Sequence, residues 1–174
     1  EIAGHLDSGV SVANTFSGVR ITGNSIHDNG GLGIDLITNG FQTGVTPNDP
    51  GDGDTGGNGL QNFPVLTSAD GTGSNTTVQG SLNSLANQAF TLEFFASPTC
   101  DPTGYGEGQT YLGATTVTTN GAGNASFSAT LPVGVPTGSV ITATAAQNAT
   151  GNTSEFSACV TVIVVPNPAG DIDG

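Results

Sequence analysis

The chain is divided by an acidic, glycine-rich stretch that offers no apolar side chain to a hydrophobic core. The stretch reads Asn48-Asp49-Pro50-Gly51-Asp52-Gly53-Asp54-Thr55-Gly56-Gly57-Asn58-Gly59. Carboxylates this close together repel one another unless a cation lies among them. Calcium takes about six to eight oxygen ligands from carboxylates, amides and backbone carbonyls, and glycine lets the backbone curl around such an ion. We therefore interpret the stretch as a calcium-binding joint between two β-structures.

Three aspartates are the strongest candidate ligands of this ion. Asp49, Asp52 and Asp54 lie close together in sequence, with no Lys or Arg beside them. Asn48 and Asn58 can add amide oxygens. The spacing differs from that of the EF-hand loop, which requires a bidentate Glu at its twelfth position. The alternative interpretation is a solvated, flexible linker without an ion.

Composition restricts the classes of function. The 174 residues carry a formal net charge of −13 and a single Lys or Arg, Arg20. Because phosphate binding relies on Lys and Arg, nucleic acid and anionic membrane surfaces are excluded as partners. Thr and Val favour strands, Gly and Asn favour turns, and their abundance predicts an all-β protein. No apolar run approaches the roughly 20 residues of a membrane span, and the longest, 160–165, is interpreted as a buried strand.

Residues 1–40 repeat a short pattern in which glycine precedes alternating apolar positions. The pattern occurs at 9–12, 18–21 and 33–36, and the alternation predicts strands with one inward face. A single coil of this kind cannot bury its own apolar face. The cover could be a longer β-helix, the following domain, or a second copy of the chain. For the last case, the predicted assembly surface consists of Val10, Val12, Val19, Ile21, Ile34 and Leu36.

Two stretches carry a resemblance to a known family. They are the corner Gly23-Asn24-Ser25-Ile26-His27-Asp28-Asn29-Gly30 and the joint, which runs on into Leu60-Gln61-Asn62-Phe63-Pro64. Both resemble the C-terminal region of bacterial secreted right-handed parallel β-helix repeat proteins. In that family an acidic stretch of this kind closes the helix before an immunoglobulin-like domain. The resemblance covers about two coils and the joint, and it implies a short β-helix-like part followed by an immunoglobulin-like β-sandwich.

The remainder of the chain has the strand pattern of an immunoglobulin-like sandwich. Seven short β runs are separated by Gly, Asn and Pro turns, at 62–69, 76–82, 89–97, 110–118, 125–131, 139–146 and 155–165. Their number and spacing predict such a sandwich. Cys100 and Cys159, the only cysteines, suggest one disulfide in a secreted protein, with two buried thiols as the alternative.

The sequence thus predicts four parts. They are β-helix-like coils at 1–47, the calcium-type joint at 48–61, the β-sandwich at 62–165 and a C-terminal linker at 166–174. The acidic first residue, Glu1, and the lack of a signal-peptide pattern indicate a processed or excised chain.

No catalytic motif is recognisable, so we expect no enzyme. The sequence holds two histidines, His5 and His27, and lacks a nucleophile elbow, a zinc-protease helix and a phosphate-binding loop. The expected role is that of a secreted, extracellular or cell-surface structural protein that is stabilised by calcium and self-associates into a filament or layer. The alternative is an adhesion or carbohydrate-binding module from the C-terminal end of a larger β-helix protein, with surface polysaccharide as its partner.

Overall fold

The computed structural model describes residues 1–40 and 42–164, and these residues form an all-β protein, as predicted. The predicted linker at 166–174 lies outside the described residues. Within the described ranges, helical structure is limited to the 3-10 turn Gly57–Leu60. No helix in them has the length and apolar character that crossing a membrane requires.

The N-terminal part is built from four short strands that pair in parallel. They are β1 (Ile2–Ala3), β2 (Val10–Val12), β3 (Ile26–His27) and β4 (Ile34–Leu36). β1 pairs with β3 and β2 pairs with β4, and in both pairs the partner residue lies 24 positions further along the chain. This constant offset means that the chain passes over itself once. We call residues 1–40 the coil, with β1 and β2 in its first layer and β3 and β4 in its second.

Seven longer strands form one sheet in the rest of the chain. They are β5 (Val65–Asp70), β6 (Thr76–Asn83), β7 (Ala89–Ser97), β8 (Thr110–Thr118), β9 (Asn124–Leu131), β10 (Val140–Gln147) and β11 (Val160–Ile163). Their order in the sheet is β8-β7-β10-β11-β5-β6-β9. Neighbours are antiparallel except for the parallel pair β11 and β5. The end strands β8 and β9 contact each other, so the sheet curls until it is nearly closed.

The curled sheet encloses the main hydrophobic core. Phe90, Leu92 and Phe94 of β7 are fully buried there, together with Ile141 of β10. Every residue of β10 is buried, because its second face is also covered. On that face, the Thr142 hydroxyl donates to the backbone carbonyl of Glu107 at 2.9 Å. β10 is therefore the layer between the main core and the coil side of the molecule.

A second hydrophobic cluster joins the coil to the sheet. Its members are Val12, Ile21, Ile26, Ile34 and Leu36 of the coil, Leu60 of the 3-10 turn, and Phe95 and Phe156 of the sheet region. The two aromatic rings pack edge to face with centroids 5.4 Å apart. The sheet therefore supplies the apolar cover that two coil layers lack.

This packing corrects the predicted assembly surface. Val12, Ile21, Ile34 and Leu36 are buried in the cluster, and Val10 and Val19 pack partly buried against it. Of the three covers that the sequence left open, the structure uses the following domain. The prediction of an apolar surface for a second copy is wrong for the four buried residues, because the chain itself covers them, whereas Val10 and Val19 stay partly exposed.

The strand predictions agree with the seven-stranded sheet. The runs at 89–97 and 110–118 coincide with β7 and β8 from end to end. The run at 155–165 departs most, since among its described residues, 155–164, a strand forms only over Val160–Ile163; in the run at 62–69 the strand begins at Val65. Ahead of it, the hydroxyls of Ser154 and Ser157 accept the N–H groups of Ala145 and Ala143 of β10. These side-chain acceptors take the place of backbone carbonyls and interrupt the ladder.

Candidate metal centre

The first half of the acidic joint is fixed to the sheet end where β6 stops. The Asn62 side chain accepts the Asp49 N–H at 3.1 Å and donates to the carbonyls of Asp49 (2.7 Å) and Asn83 (2.9 Å). The Gly51 N–H donates to Asn83 Oδ1 at 2.8 Å. The joint is thus a hydrogen-bonded loop packed on the seven-stranded sheet.

Asp52 belongs to the same anchored half. The Asn62 N–H donates to its Oδ1 at 2.9 Å, and Ser84 Oγ donates to its Oδ2 at 2.5 Å. Gly51 and Asp52 both have left-handed backbones, with φ of 79° and 59°. Two such residues in succession turn the chain sharply, and Gly at the first of them avoids the steric cost of a Cβ.

Three carboxylates meet inside this loop. One oxygen each of Asp49, Asp52 and Asp54 lie within 4.8 Å of one another. Asp49 Oδ1 and Asp54 Oδ1 are buried and accept no hydrogen bond. Arg20, the only Lys or Arg of the sequence, is placed elsewhere and donates to the Asn148 carbonyl. Because a buried charged oxygen without a partner costs free energy, the loop holds negative charge that a cation would stabilise.

Burial and mutual repulsion perturb these carboxylates. Burial raises the pKa of Asp52 from 3.8 to about 6. Repulsion from the charges of Asp54 and Asp49 also raises it, whereas the hydrogen bonds from Ser84 and Asn62 lower it. Burial, followed by the charge of Asp49, raises the pKa of Asp54. In the absence of an ion, ionisation of Asp52 therefore works against folding at neutral pH. A bound cation would offset that cost.

The donor set fits calcium better than a transition metal. All three candidate ligands are carboxylates, which are hard oxygen donors, whereas zinc and copper favour imidazole and thiolate. Calcium–oxygen distances of about 2.3–2.6 Å let oxygens on opposite sides of one ion lie about 5 Å apart. The 4.8 Å limit observed here falls within that distance. The structure thus brings together the three aspartates that the sequence singled out.

The two asparagines predicted as further ligands hold the backbone instead. Asn48 donates to the Phe63 carbonyl at 2.8 Å and accepts the Phe63 N–H at 2.9 Å. Asn58 is fully buried; it accepts the Val19 N–H and donates to the carbonyls of Val19 and Thr153. The ligand prediction is wrong for both, because their amide oxygens point at backbone N–H groups.

The second half of the joint is fixed to the coil. Gly56 forms an antiparallel bridge with Thr38, and the Gly57 N–H donates to the Ile37 carbonyl at 3.0 Å. A methyl group on Gly57 would overlap the carbonyl of Val12, so only glycine fits there. Between Asp52 and Gly57 the joint therefore crosses from the sheet to the coil.

Three buried glutamates of the sheet region also hold the coil, and the sequence analysis did not assign them this role. Each accepts a backbone N–H: Glu93 from Gly23 at 2.8 Å, Glu107 from Asn29 at 3.1 Å and Glu155 from Leu36 at 2.9 Å. We call them the glutamate anchors. The sequence pattern that could have indicated them is an acidic residue within a predicted apolar strand, such as Glu93 within 89–97.

The position of Glu155 shows which side of the coil the anchors occupy. The Ile37 N–H donates to Val12 of β2, and successive N–H groups of a strand point to opposite sides. The Leu36 N–H, bound by Glu155, therefore points away from β2 and the first layer. Glu155 thus meets the second coil layer on the side away from the first, and Glu107 binds the same layer at Asn29.

The titration of Glu155 should make stability depend on pH. Burial raises its pKa from 4.5 to about 7. The charge of Asp35 also raises the pKa, whereas the hydrogen bonds from Leu36 and Thr46 lower it. Since the folded pKa lies above the unfolded value, the contribution of Glu155 is full below about pH 4.5 and is lost as pH rises through about 7. We expect a fall of about 3 kcal/mol in the free energy of unfolding over this range.

Urea unfolding in EDTA at a series of pH values measures this fall. Glu155→Gln cannot ionise, so this variant should show a smaller fall than the wild type. Glu1→Gln, at a side chain that is 71% exposed, is the control and should behave as the wild type. Equal pH dependence in the wild type and Glu155→Gln would contradict the prediction.

The predicted disulfide is confirmed, since Cys100 and Cys159 are bonded with Cα atoms 5.9 Å apart. It ties the loop that carries Glu107 to the residue before β11. A polar cleft of about 510 Å³ lies beside it, between coil and sheet. Its lining includes His27, Asp28 and Asn29 of the coil, and Cys100, Asp101 and Gln109 of the sheet region.

Comparison with known proteins adds little beyond this description. No protein-family model matches the chain, and no curated protein sequence matches it. Among solved structures, it is similar to one described as "Biofilm associated protein - BSP domain", with 21% identity and a TM-score of 0.40. That similarity covers 66% of this chain and 16% of the other, so this chain spans about a sixth of that longer one. At this distance the similarity carries no argument about function.

Proposed function

We propose that the chain is a non-enzymatic structural module of a secreted or cell-surface protein, with calcium bound by Asp49, Asp52 and Asp54. The carboxylate convergence and its two buried, unpartnered oxygens support the calcium site. The Cys100–Cys159 disulfide supports an oxidising, extracellular compartment, because cytosolic proteins rarely keep such a bond. In this role, calcium stabilises the junction between the coil and the sheet.

The strand arrangement supports the finer fold assignment that forms part of this proposal. In an immunoglobulin-like sandwich, strands C, F and G lie in one sheet and strands A, B and E in the other. Here β7, β10 and β11 are neighbours, as are β5, β6 and β9, and the parallel pair β11 and β5 joins the two groups. The parallel pairing and constant offset of the coil likewise support a β-helix-like N-terminal part.

Calcium should raise the melting temperature, and EDTA should reverse the rise, because the ion neutralises carboxylates that repel one another in the folded loop. One site held at a hundred times its Kd adds about 2.7 kcal/mol, which corresponds to roughly 5–10 °C for a chain of this size. Differential scanning calorimetry measures the shift, and calorimetric titration with calcium chloride measures binding to a single site.

Two variants that each remove one negative charge separate ligand loss from a general charge effect. Asp54→Asn should abolish the calcium response, since it removes a candidate ligand. Asp28→Asn should retain it, since the Asp28 side chain is 82% exposed and lies outside the loop. A wild-type melting temperature that EDTA leaves unchanged, with no binding by titration, would overturn the calcium site.

Self-association remains part of the proposal, but on another surface. Among the described residues, β1 and β2 of the first layer each have one strand partner. Leu6 and Phe16, in the same layer, are 102% and 62% exposed. An uncovered strand edge can pair with another chain. Multimers in light scattering with calcium present would support this, whereas monomers throughout would favour the alternative role, adhesion or carbohydrate binding by the polar cleft.

A further inference from the structure

The three aspartates of the loop belong to two differently anchored segments. Asp49 and Asp52 are held on the sheet by Asn62 and Ser84. Asp54 is followed directly by residues 55–58, which are fixed to the coil. A cation shared by the three carboxylates would therefore be bound from both sides of the junction.

We infer that the cation clasps the coil to the sheet, so that cation binding and coil docking stabilise each other. The inference rests on the proposed calcium site and adds a regulation of that site. Without the ion, the three carboxylates repel one another, because one oxygen of each lies within 4.8 Å of the others, and this repulsion weakens the hold on Asp54. With the ion, attraction holds Asp54 in place and, through it, the segment that lies on the coil.

The backbone that connects Asp54 to the coil is short and has little freedom to move. Gly56, two residues after Asp54, is bridged to Thr38 of the coil. Gly57 lies against the Val12 carbonyl without room for a methyl group. A shift of Asp54 therefore cannot be absorbed between the loop and the coil, and the contact at the coil must loosen with it.

Asn58 is the positioning residue of this path. Its buried amide joins Val19 of the coil to Thr153 of the sheet region, and its own N–H donates to the Phe16 carbonyl at 2.8 Å. It is not itself a candidate ligand. Because Asn58 also has a left-handed backbone within the joint, with φ of 50°, exchange of the coil amides is measured as well, to show that a change in calcium affinity passes through the docking of the coil.

Calorimetric titration of the full chain with calcium chloride tests this linkage. Because coupling between two sites is reciprocal, Asn58→Ala should weaken calcium binding by about fivefold or more, although it leaves the three carboxylates in place. The control is Leu131→Ala, which creates a core cavity in β9 at the sheet end remote from Asn83 and the loop. This variant should keep the wild-type Kd while losing stability.

Hydrogen exchange of the wild-type chain provides a second readout that needs no variant. Calcium removal should speed exchange at the coil amides bound by the glutamate anchors, those of Gly23, Asn29 and Leu36, by about tenfold or more. Amides in the centre of β7 and β10 should change much less. Circular dichroism checks that Asn58→Ala folds; if it does not, Phe156→Ala, which removes the ring between the coil and the sheet, takes its place, with weakened calcium binding again expected.

The possible results separate the inference from the proposed function. Weaker calcium binding by Asn58→Ala, together with faster exchange of the coil amides in EDTA, supports the inference that the cation clasps the coil to the sheet. If Asn58→Ala binds calcium as the wild type does, and calcium removal leaves exchange of the coil amides unchanged, the clasp is overturned and the calcium site stands. A wild-type chain that binds no calcium overturns both.

Discussion

Replacing Phe156 with alanine should lower the free energy of unfolding by about 3–5 kcal/mol and release the coil before the sheet. The Phe156 side chain is 3% exposed and packs against Phe95. A methyl group on Gly33 of the coil, or on Gly108 of the sheet region, would come within 2.8 Å of its ring. The ring thus fills the space between the two parts, and its loss leaves a cavity under the second coil layer.

Phe90→Ala is the matched control for this prediction. Phe90 is fully buried, but it lies in the main core of the sheet and makes no part of the coil cluster. Both variants should lose a similar amount of stability in urea unfolding. Only Phe156→Ala should speed hydrogen exchange in the coil under native conditions while β7 stays protected. A coil that remains protected in Phe156→Ala would mean that two layers are stable without the sheet.

Removing the disulfide should cost about 4 kcal/mol, because the bond closes a long loop and restricts the unfolded chain. Cys100 and Cys159 are 59 residues apart in sequence. The double variant Cys100→Ser, Cys159→Ser should melt roughly 10 °C lower than the oxidised wild type. The loop that carries Glu107 should also lose its tether, so the Asn29 amide should exchange faster.

A reducing agent provides the internal control for the disulfide. Reduction should bring the wild type to the stability of the serine variant and leave that variant unchanged. If the variant and the oxidised wild type unfold within about 1 kcal/mol of each other, residual structure in the unfolded chain has replaced the constraint.

Alternation in sequence predicted the sheet because one face of most strands meets the main core. In β7, Phe90, Leu92 and Phe94 alternate and are all buried inward. The second face was less predictable. Glu93 and Phe95 of the same strand are buried against the coil, and a register shift falls between Phe94 and Phe95. Sequence alone shows that these residues are present, but not that another segment covers them.

The acidic loop was predictable as a cluster but not in its details. Carboxylates at Asp49, Asp52 and Asp54 have few means of neutralisation other than a cation, so their spacing alone pointed to a site. Asn48 and Asn58 were misassigned because an amide oxygen is equally suited to a metal ion and to a backbone N–H. The choice depends on which group the fold brings near, and the contacts with Phe63 and Val19 are distant in sequence.

The glutamate anchors give the coil a polarity. A carboxylate accepts hydrogen bonds but, when ionised, has none to pass on, so a strand cannot pair where Glu155 occupies the Leu36 N–H. On the opposite side, β1 and β2 have no further strand beside them among the described residues, so their backbone edge is available to a further parallel strand. Stacking can therefore extend in one direction alone. A stack of such coils could grow only on the side of β1 and β2, and this chain would lie at the end of the stack, where its sheet covers the last coil layer.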